Sequence, residues 1–267
     1  MRRLTFTGFP GFYIAGNLKT GLSLNVGRST CGRQKVRTTW CSSHCYMLAW
    51  PKGKPRHCTV GCSVGCSTPM SWVAHRYEKV NQAIIEIAGE ERLEELAAEI
   101  TQRVQAAGFD NLRICGGGEL FPELTELTIL LQLQGLKCWG FSRNVAQLQY
   151  MVELCESVGW DYEERPVFRG SLDPSTHLAD AEALRESSYF LGSQGGLAYA
   201  TCSCGLLAKL ELDKHPMRKE IDTVFGFHAG SYHTKLYDAV GDIECPATGG
   251  RGVTCQTCRR CVDNRAS

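Results

Sequence analysis

Not one aspartate or glutamate occurs in the first 77 residues of this 267-residue chain. That stretch has 11 lysines and arginines and carries +11; the 18 basic and 28 acidic residues that follow leave −10. The formal total of +1 hides this division. An acid-free segment of this length has two readings. It meets a polyanion such as DNA or RNA, or it offsets a thiolate-bound cluster and the carboxylates elsewhere in the chain. Also lacking is any apolar run long enough to cross a bilayer, which excludes a membrane-spanning helix. The opening "MRRLTFTGFPGFYIAG" has two arginines but neither a sustained apolar stretch nor a small-residue cleavage site. No export signal is read there, and the expected location is the cytoplasm. There is no internal repeat and no low-complexity tract.

What the chain does have is cysteine: 15 residues, an odd number. In a chain with no export signal this favours metal or redox chemistry over a disulfide framework. The cysteines form three groups. Cys31, Cys41 and Cys45 lie in "TCGRQKVRTTWCSSHCYM" and Cys58, Cys62 and Cys66 in "CTVGCSVGC". Cys245, Cys255, Cys258 and Cys261 lie in "CPATGGRGVTCQTCRRC". Close spacing on a loop lets several thiolates reach one centre. The last run, four cysteines with closely spaced glycines and no carboxylate among them, suits an iron–sulfur cluster. Zinc is the rival, although a zinc ribbon pairs two two-cysteine knuckles and this run is a triplet plus an outlier.

Periodicity supplies the frame. A strand is expected at 22–26 and a cysteine-rich, Gly/Pro-punctuated loop over 31–70. Residues 71–107 repeat apolar positions every three or four residues, with a break at Gly89. Strands then alternate with helices: strand 112–115, a helix opening at Pro122, strand 137–142, a helix from Val145, strand 166–173 and a helix from Ser175. A fifth strand falls within 188–202 and a sixth at 223–229. This alternation predicts an α/β fold with a parallel sheet. Two regions are expected, a βα unit over 1–240 and a cysteine-rich extension over 241–267.

In a parallel βα barrel, chemistry gathers where strands end. The rim then gathers the first cysteine loop, "CGGGE" (115–119), "SRN" (142–144), "SLD" (171–173), "CSC" (202–204) and "FHAG" (227–230). Three glycines followed by Glu119 remove side chains where something approaches the backbone and add one acceptor. The bland alternative is a glycine-rich turn with an exposed glutamate. Cys115, Cys138 and Cys155 lie in apolar elements and read as core. Cys202, Cys204 and His228 are candidates for chemistry, with burial or a structural role as the competing reading. Trp40, Tyr46 and Trp50 among basic residues could stack on bases or pack around the cysteine loop.

These segments in order resemble the radical SAM superfamily. The cysteine loop after the first strand closes with "CY". "ICGGGELFPELTEL" resembles that superfamily's Gly-Gly-Glu segment, and "WGFSRN" and "FRGSLD" resemble its third and fourth strands. "LSLNVGRSTCG…CYM" and the tail "ECPATGGRGVTCQTCRRC" are similar to an uncharacterised group of phage-encoded, radical-SAM-like proteins. The resemblance covers most of residues 20–261. It implies a partial (β/α)6 barrel and a 4Fe–4S cluster on Cys31, Cys41 and Cys45. S-adenosylmethionine would be received by Gly116, Gly117, Gly118 and Glu119, with Ser142, Asn144 and Ser171 on the rim. A second, auxiliary 4Fe–4S cluster would lie on Cys245, Cys255, Cys258 and Cys261. An electron donor such as flavodoxin or ferredoxin would drive reductive cleavage to a deoxyadenosyl radical. The cysteine spacing departs from the superfamily's usual three-then-two pattern, which leaves Cys58, Cys62 and Cys66 as a rival triplet. The expected function is radical rearrangement or isomerisation of a substrate, with a modified base in phage DNA as the candidate. A peptide or small metabolite is the alternative substrate, and a zinc-stabilised, nucleic-acid-binding protein the alternative class.

Overall fold

A computed structural model describes residues 3–17, 21–26, 72–116, 118–172, 176, 178–201, 212–226, 245 and 253–263. Among the described residues, eight strands form one sheet in sequence order: β1 (Leu4–Thr5), β2 (Tyr13–Asn17), β3 (Gly21–Leu24), β4 (Asn111–Ile114), β5 (Lys137–Ser142), β6 (Val167–Leu172), β7 (Leu197–Thr201) and β8 (Ile221–Gly226). The first two joints are antiparallel. From β3 to β8 every joint is parallel. The helices are α1 (Trp72–Gly89), α2 (Leu93–Ala106), α3 (Pro122–Leu133), α4 (Val145–Val158), α5 (Leu178–Ser188) and the single turn α6 (Cys255–Cys258).

The fold is therefore α/β with a mostly parallel sheet, as the alternation predicts. The N-terminus differs from expectation. One strand is predicted in residues 1–30, and three are formed. β1 and β2 are short and carry no clear alternation. Their place is set by tertiary packing of Phe6, Phe9, Phe12 and Ile14 into the core.

Local chemistry explains the element ends. α1 stops at Gly89, and the chain turns through Glu91 at φ +58° before α2 begins. Pro122 opens α3, where its missing N–H costs nothing. The Asn144 side chain caps α4 by accepting from the Gln147 N–H, and Gly159 ends that helix in the left-handed region.

Strand alternation gives the sheet two unlike faces. Leu24, Leu112, Ile114, Cys138, Phe168, Leu172, Tyr199 and Val224 belong to the apolar core shared with the helices. Most intervening positions are polar or aromatic, among them Ser23, Asn111, Arg113, Trp139, Arg169, Ser171 and Thr223. Ser23, Arg113 and Trp139 are register neighbours across three strands, and Phe141 faces Arg169 across the next joint. Parallel strands covered by apolar layers on both sides read as continuous hydrophobic runs. This second face does not.

Residues 253–263 lie on that second face, over the strand starts. Gln256 exchanges hydrogen bonds of 3.0 and 3.2 Å with Asn111, the first residue of β4. Trp139 Nε1–H donates to the same Asn111 at 3.1 Å. Arg259 clamps Asp110 with two bonds of 3.0 and 2.8 Å. Arg260 donates to the Asp222 carbonyl at 2.6 Å, and Val262 is buried. Residues 253–263 are thus docked on the sheet by polar contacts of their own.

Candidate functional site

The turn after β4 is packed against the end of β3. A Cβ on Gly116 would overlap the Ser23 hydroxyl and the Asn25 amide oxygen. Gly118 has φ +83°, and a Cβ there would lie 2.6 Å from the Val26 carbonyl oxygen. A close approach is what the glycines were expected to permit. At Gly116 and Gly118 the approaching group is the chain's own β3 end. This is also where the chain heads into the first cysteine stretch, since Cys31 is five residues beyond Val26.

Glu119 is buried, so the alternative of a plain turn with an exposed glutamate does not hold. Its Oε2 accepts 2.7 Å from the Ser142 hydroxyl and 3.1 Å from the Arg143 N–H. The Ser142 oxygen in turn accepts from the Asn144 N–H at 3.0 Å, and Asn144 Nδ2 donates to the Leu120 carbonyl at 3.1 Å. The ends of β4 and β5 are thereby tied into one polar knot around a carboxylate. Gly116, Gly118, Glu119, Ser142 and Asn144 are brought together. Ser171 lies one strand over, next to Gly170, the register partner of Ser142. Cys31, Cys41, Cys45, Gly117, Cys202, Cys204 and His228 lie outside the described residues, as do Cys58, Cys62, Cys66, Trp40, Tyr46 and Trp50.

The second group lies at the other end of β4. From Asn111 to Cys115 the strand rises roughly 13 Å, which separates the Glu119 knot from the docked tail. All seven described cysteines are free thiols. Cys115, Cys138 and Cys155 are buried, as expected of core residues. Burial pushes the Cys155 thiol up to about 12 and the Cys138 thiol higher still.

The tail cysteines share one environment. Burial pushes Cys255 up to about 12; Cys245, Cys261 and Cys258 add to this, and Arg113 opposes it. Burial likewise raises Cys261 to about 11, opposed by Arg169 and Arg113 and reinforced by Cys245 and Asp222. The Cys245 N–H donates to the Val224 carbonyl of β8 at 2.9 Å, which anchors the outlying cysteine to the sheet. Cys255 and Cys258 are the first and last residues of α6, three apart, and so lie on one side of that turn. Four thiols within one another's field are a donor set that suits an iron–sulfur core or a divalent ion. Among the described residues, no three cysteine, histidine or carboxylate side chains stand converged around an ion position. The donor chemistry fits, and ligation would require the thiols to draw inward.

Sequence reasoning missed Arg113, Arg169 and Asp222. The sequence run of the tail contains no carboxylate between its cysteines, yet the fold brings Asp222 to the tail, where its carbonyl accepts from Arg260. Beyond Arg169 a cleft of about 710 Å³ opens at the strand starts, lined by Arg185, Tyr189, Lys219 and Asp222 among others. The signal available was the odd positions of β4 and β6, where a charged residue interrupts an otherwise apolar strand.

Compared with known proteins, the chain matches no family model, no curated sequence and no solved structure. Among the described residues, no helix is long and apolar enough to cross a membrane.

Proposed function

We propose that this chain is a radical SAM enzyme built on a partial (β/α)6 barrel. Strands β3 to β8 would form the barrel wall and the docked tail would carry an auxiliary metal centre. One observation carries the reading: the Gly-Gly-Glu turn after β4 packs directly on Asn25 and Val26, where the chain leaves β3 for its first cysteine stretch. Gly116 and Gly118 therefore meet residues about 90 positions earlier in the chain, at one corner of the sheet. Such a corner, at the ends of adjacent parallel strands, is where α/β sheets gather ligands.

When bound, the 4Fe–4S cluster and S-adenosylmethionine supply one-electron cleavage of a carbon–sulfur bond. Cys31, Cys41 and Cys45 are the proposed ligands. Glu119 would hold the ammonium of the cofactor through its carboxylate, a charge-assisted contact. Ser142 and Arg143 fix that carboxylate in place, and Asn144 fixes Ser142. Gly116 and Gly118 hold the turn that carries Glu119 against Asn25 and Val26. Ser171, Cys202, Cys204 and His228 are proposed for the substrate side of the rim.

The proposed substrate is a modified base in DNA, supported by the +11 charge of residues 1–77. DNA retention at low salt that falls steeply as salt rises is the expected result. No retention at low salt would move the substrate to a peptide or small metabolite.

The deciding experiment is anaerobic purification and reconstitution with iron and sulfide. Deoxyadenosine is then assayed from S-adenosylmethionine plus a strong reductant or a flavodoxin. About eight irons for two 4Fe–4S clusters, with deoxyadenosine formed, supports the reading. Zinc in place of iron, with no cleavage after reconstitution, overturns it in favour of a zinc-stabilised, nucleic-acid-binding protein.

A further inference from the structure

The first strand of the sheet, β1, pairs with β2, and the turn between them folds against α1. A Cβ on Gly11 would lie 3.8 Å from both the Lys79 carbonyl oxygen and the Ala83 Cβ. Phe6, Phe12 and Tyr13 are buried here. The Phe6 and Phe12 rings meet edge to face with centroids 5.1 Å apart. A pocket of about 370 Å³ lies against this hairpin and α1, lined by these three aromatic residues and by Arg3, Arg76 and Lys79 among others. That volume is in the range of small-ligand pockets.

The charge around the pocket is of one sign. Arg3, Arg76 and Lys79 are all exposed, and no carboxylate lines the pocket among the described residues. Arg76 and Lys79 are three apart in α1 and so lie on one side of that helix. The Arg3 guanidinium carbon lies 4.6 Å from the Tyr13 ring centroid, a cation–π contact that holds it beside the pocket. Other arginines of this region are matched differently: Arg92 and Arg103 each meet a glutamate within 3.0 Å. Burial pushes the Tyr13 hydroxyl up to about 12, with Tyr77 adding and Arg3 and Arg76 opposing, so Tyr13 brings no negative charge of its own. Three cations lining one concavity without a counter-charge favour entry of an anion. A phosphate is the group that arginine and lysine donors suit, and the volume leaves room for an attached sugar. Arg3 and Arg76 come from the two ends of the acid-free segment 1–77, and the fold brings both to this pocket. A contiguous segment of charge +11 suits a chain of phosphates rather than a single small anion.

We propose that this pocket seats one backbone phosphate of a nucleic-acid strand on Arg3, Arg76 and Lys79. This rests on the reading that a nucleic acid is the partner, and it adds where the backbone is held. The contact is to phosphate and carries no base preference. No bond is made or broken there.

The test uses the full-length protein and a short fluorescein-labelled DNA, single-stranded and as a duplex, with anisotropy read across a salt series. The triple variant Arg3→Gln, Arg76→Gln, Lys79→Gln is expected to bind every sequence more weakly. Its slope of log affinity against log salt should be shallower by about 0.9 on duplex or about 0.7 on single strands, the loss of one phosphate contact. Lys214→Gln, which removes an exposed charge outside the pocket, should keep the wild-type slope. If the triple variant does not fold for want of the Arg3–Tyr13 contact, the double variant at Arg76 and Lys79 decides. Wild-type affinity and slope in these variants overturn the seat and leave the nucleic-acid reading standing. A slope change near three contacts, about 2.7 on duplex, shows three separate phosphates and overturns the shared pocket. No DNA binding by wild type at low salt overturns the nucleic-acid reading and this inference with it. Adenosine monophosphate and inorganic phosphate, titrated at matched ionic strength, separate the sources of phosphate. Binding of either as tight as that of DNA, and lost in the pocket variants, assigns the pocket to a free ligand and overturns the strand.

Discussion

The Ser142 hydroxyl, on the last residue of β5, donates a 2.7 Å hydrogen bond to Glu119 Oε2 in the turn that follows β4. The bond joins the ends of neighbouring parallel strands through a buried carboxylate. Glu119→Ala leaves both the Ser142 hydroxyl and the Arg143 N–H unmet. It is expected to destabilise the protein by about 2 kcal/mol, and Ser142→Ala, which removes one of the two bonds to Glu119 and leaves the Asn144 N–H unmet, by a comparable amount. Urea unfolding of the two variants measures this. Losses below about 0.5 kcal/mol in both would show that the knot adds little to stability.

Gly118 and Gly135 share positive φ values of +83° and +81° but differ in surroundings. Alanine at Gly135 meets nothing within 4 Å, whereas at Gly118 it meets the Val26 carbonyl. Gly135→Ala is expected to cost roughly 1 kcal/mol of backbone strain, and Gly118→Ala at least about 2 kcal/mol. Matched thermal melts compare the two. Similar shifts would mean that the turn is free to move away from β3.

The Arg259 guanidinium holds the Asp110 carboxyl down to about 2, with further lowering from the Asn111 amide. A depressed carboxylate stabilises the folded form above its ordinary value, near 3.8, and that contribution is lost as pH falls toward 2. Docking of the tail should therefore weaken between about pH 4 and 2. Hydrogen exchange of residues 253–263 should rise across that window in wild type and be less pH-dependent in Asp110→Asn. The pair is largely exposed, so salt should reduce the effect. An unchanged profile in the variant would place the tail's anchorage elsewhere.

Cys138 and Cys155 sit in the apolar core, with thiols pushed well above neutral pH by burial. Thiolate is the reactive form, so both should resist iodoacetamide at pH 8 until the protein is unfolded. Peptide mass mapping reads this directly. Labelling of Cys138 in the native state would show that the core between β5 and the helices opens readily.

Much of the frame was legible in the sequence. β5 was bounded at 137–142, and the helices from Pro122 and Val145 begin where their start signals stand. The Gly89 break also forms as read. These are local effects of proline, asparagine and apolar spacing. β1 and β2 were not legible, because two- and five-residue strands leave no periodicity to count. Glu119, Ser142 and Asn144 were picked as candidates by motif, and the hydrogen bonds that join them appear only once β4 and β5 are paired.

By itself the sequence determined the alternation of strands and helices, the grouping of cysteines and the uneven charge, because each is written in residue types at short spacing. Only the tertiary structure decided what fills the space at Gly116 and Gly118 and where residues 253–263 dock. Arg259 and Asp110 are far apart in sequence. They meet because residues 253–263 fold onto the start of β4.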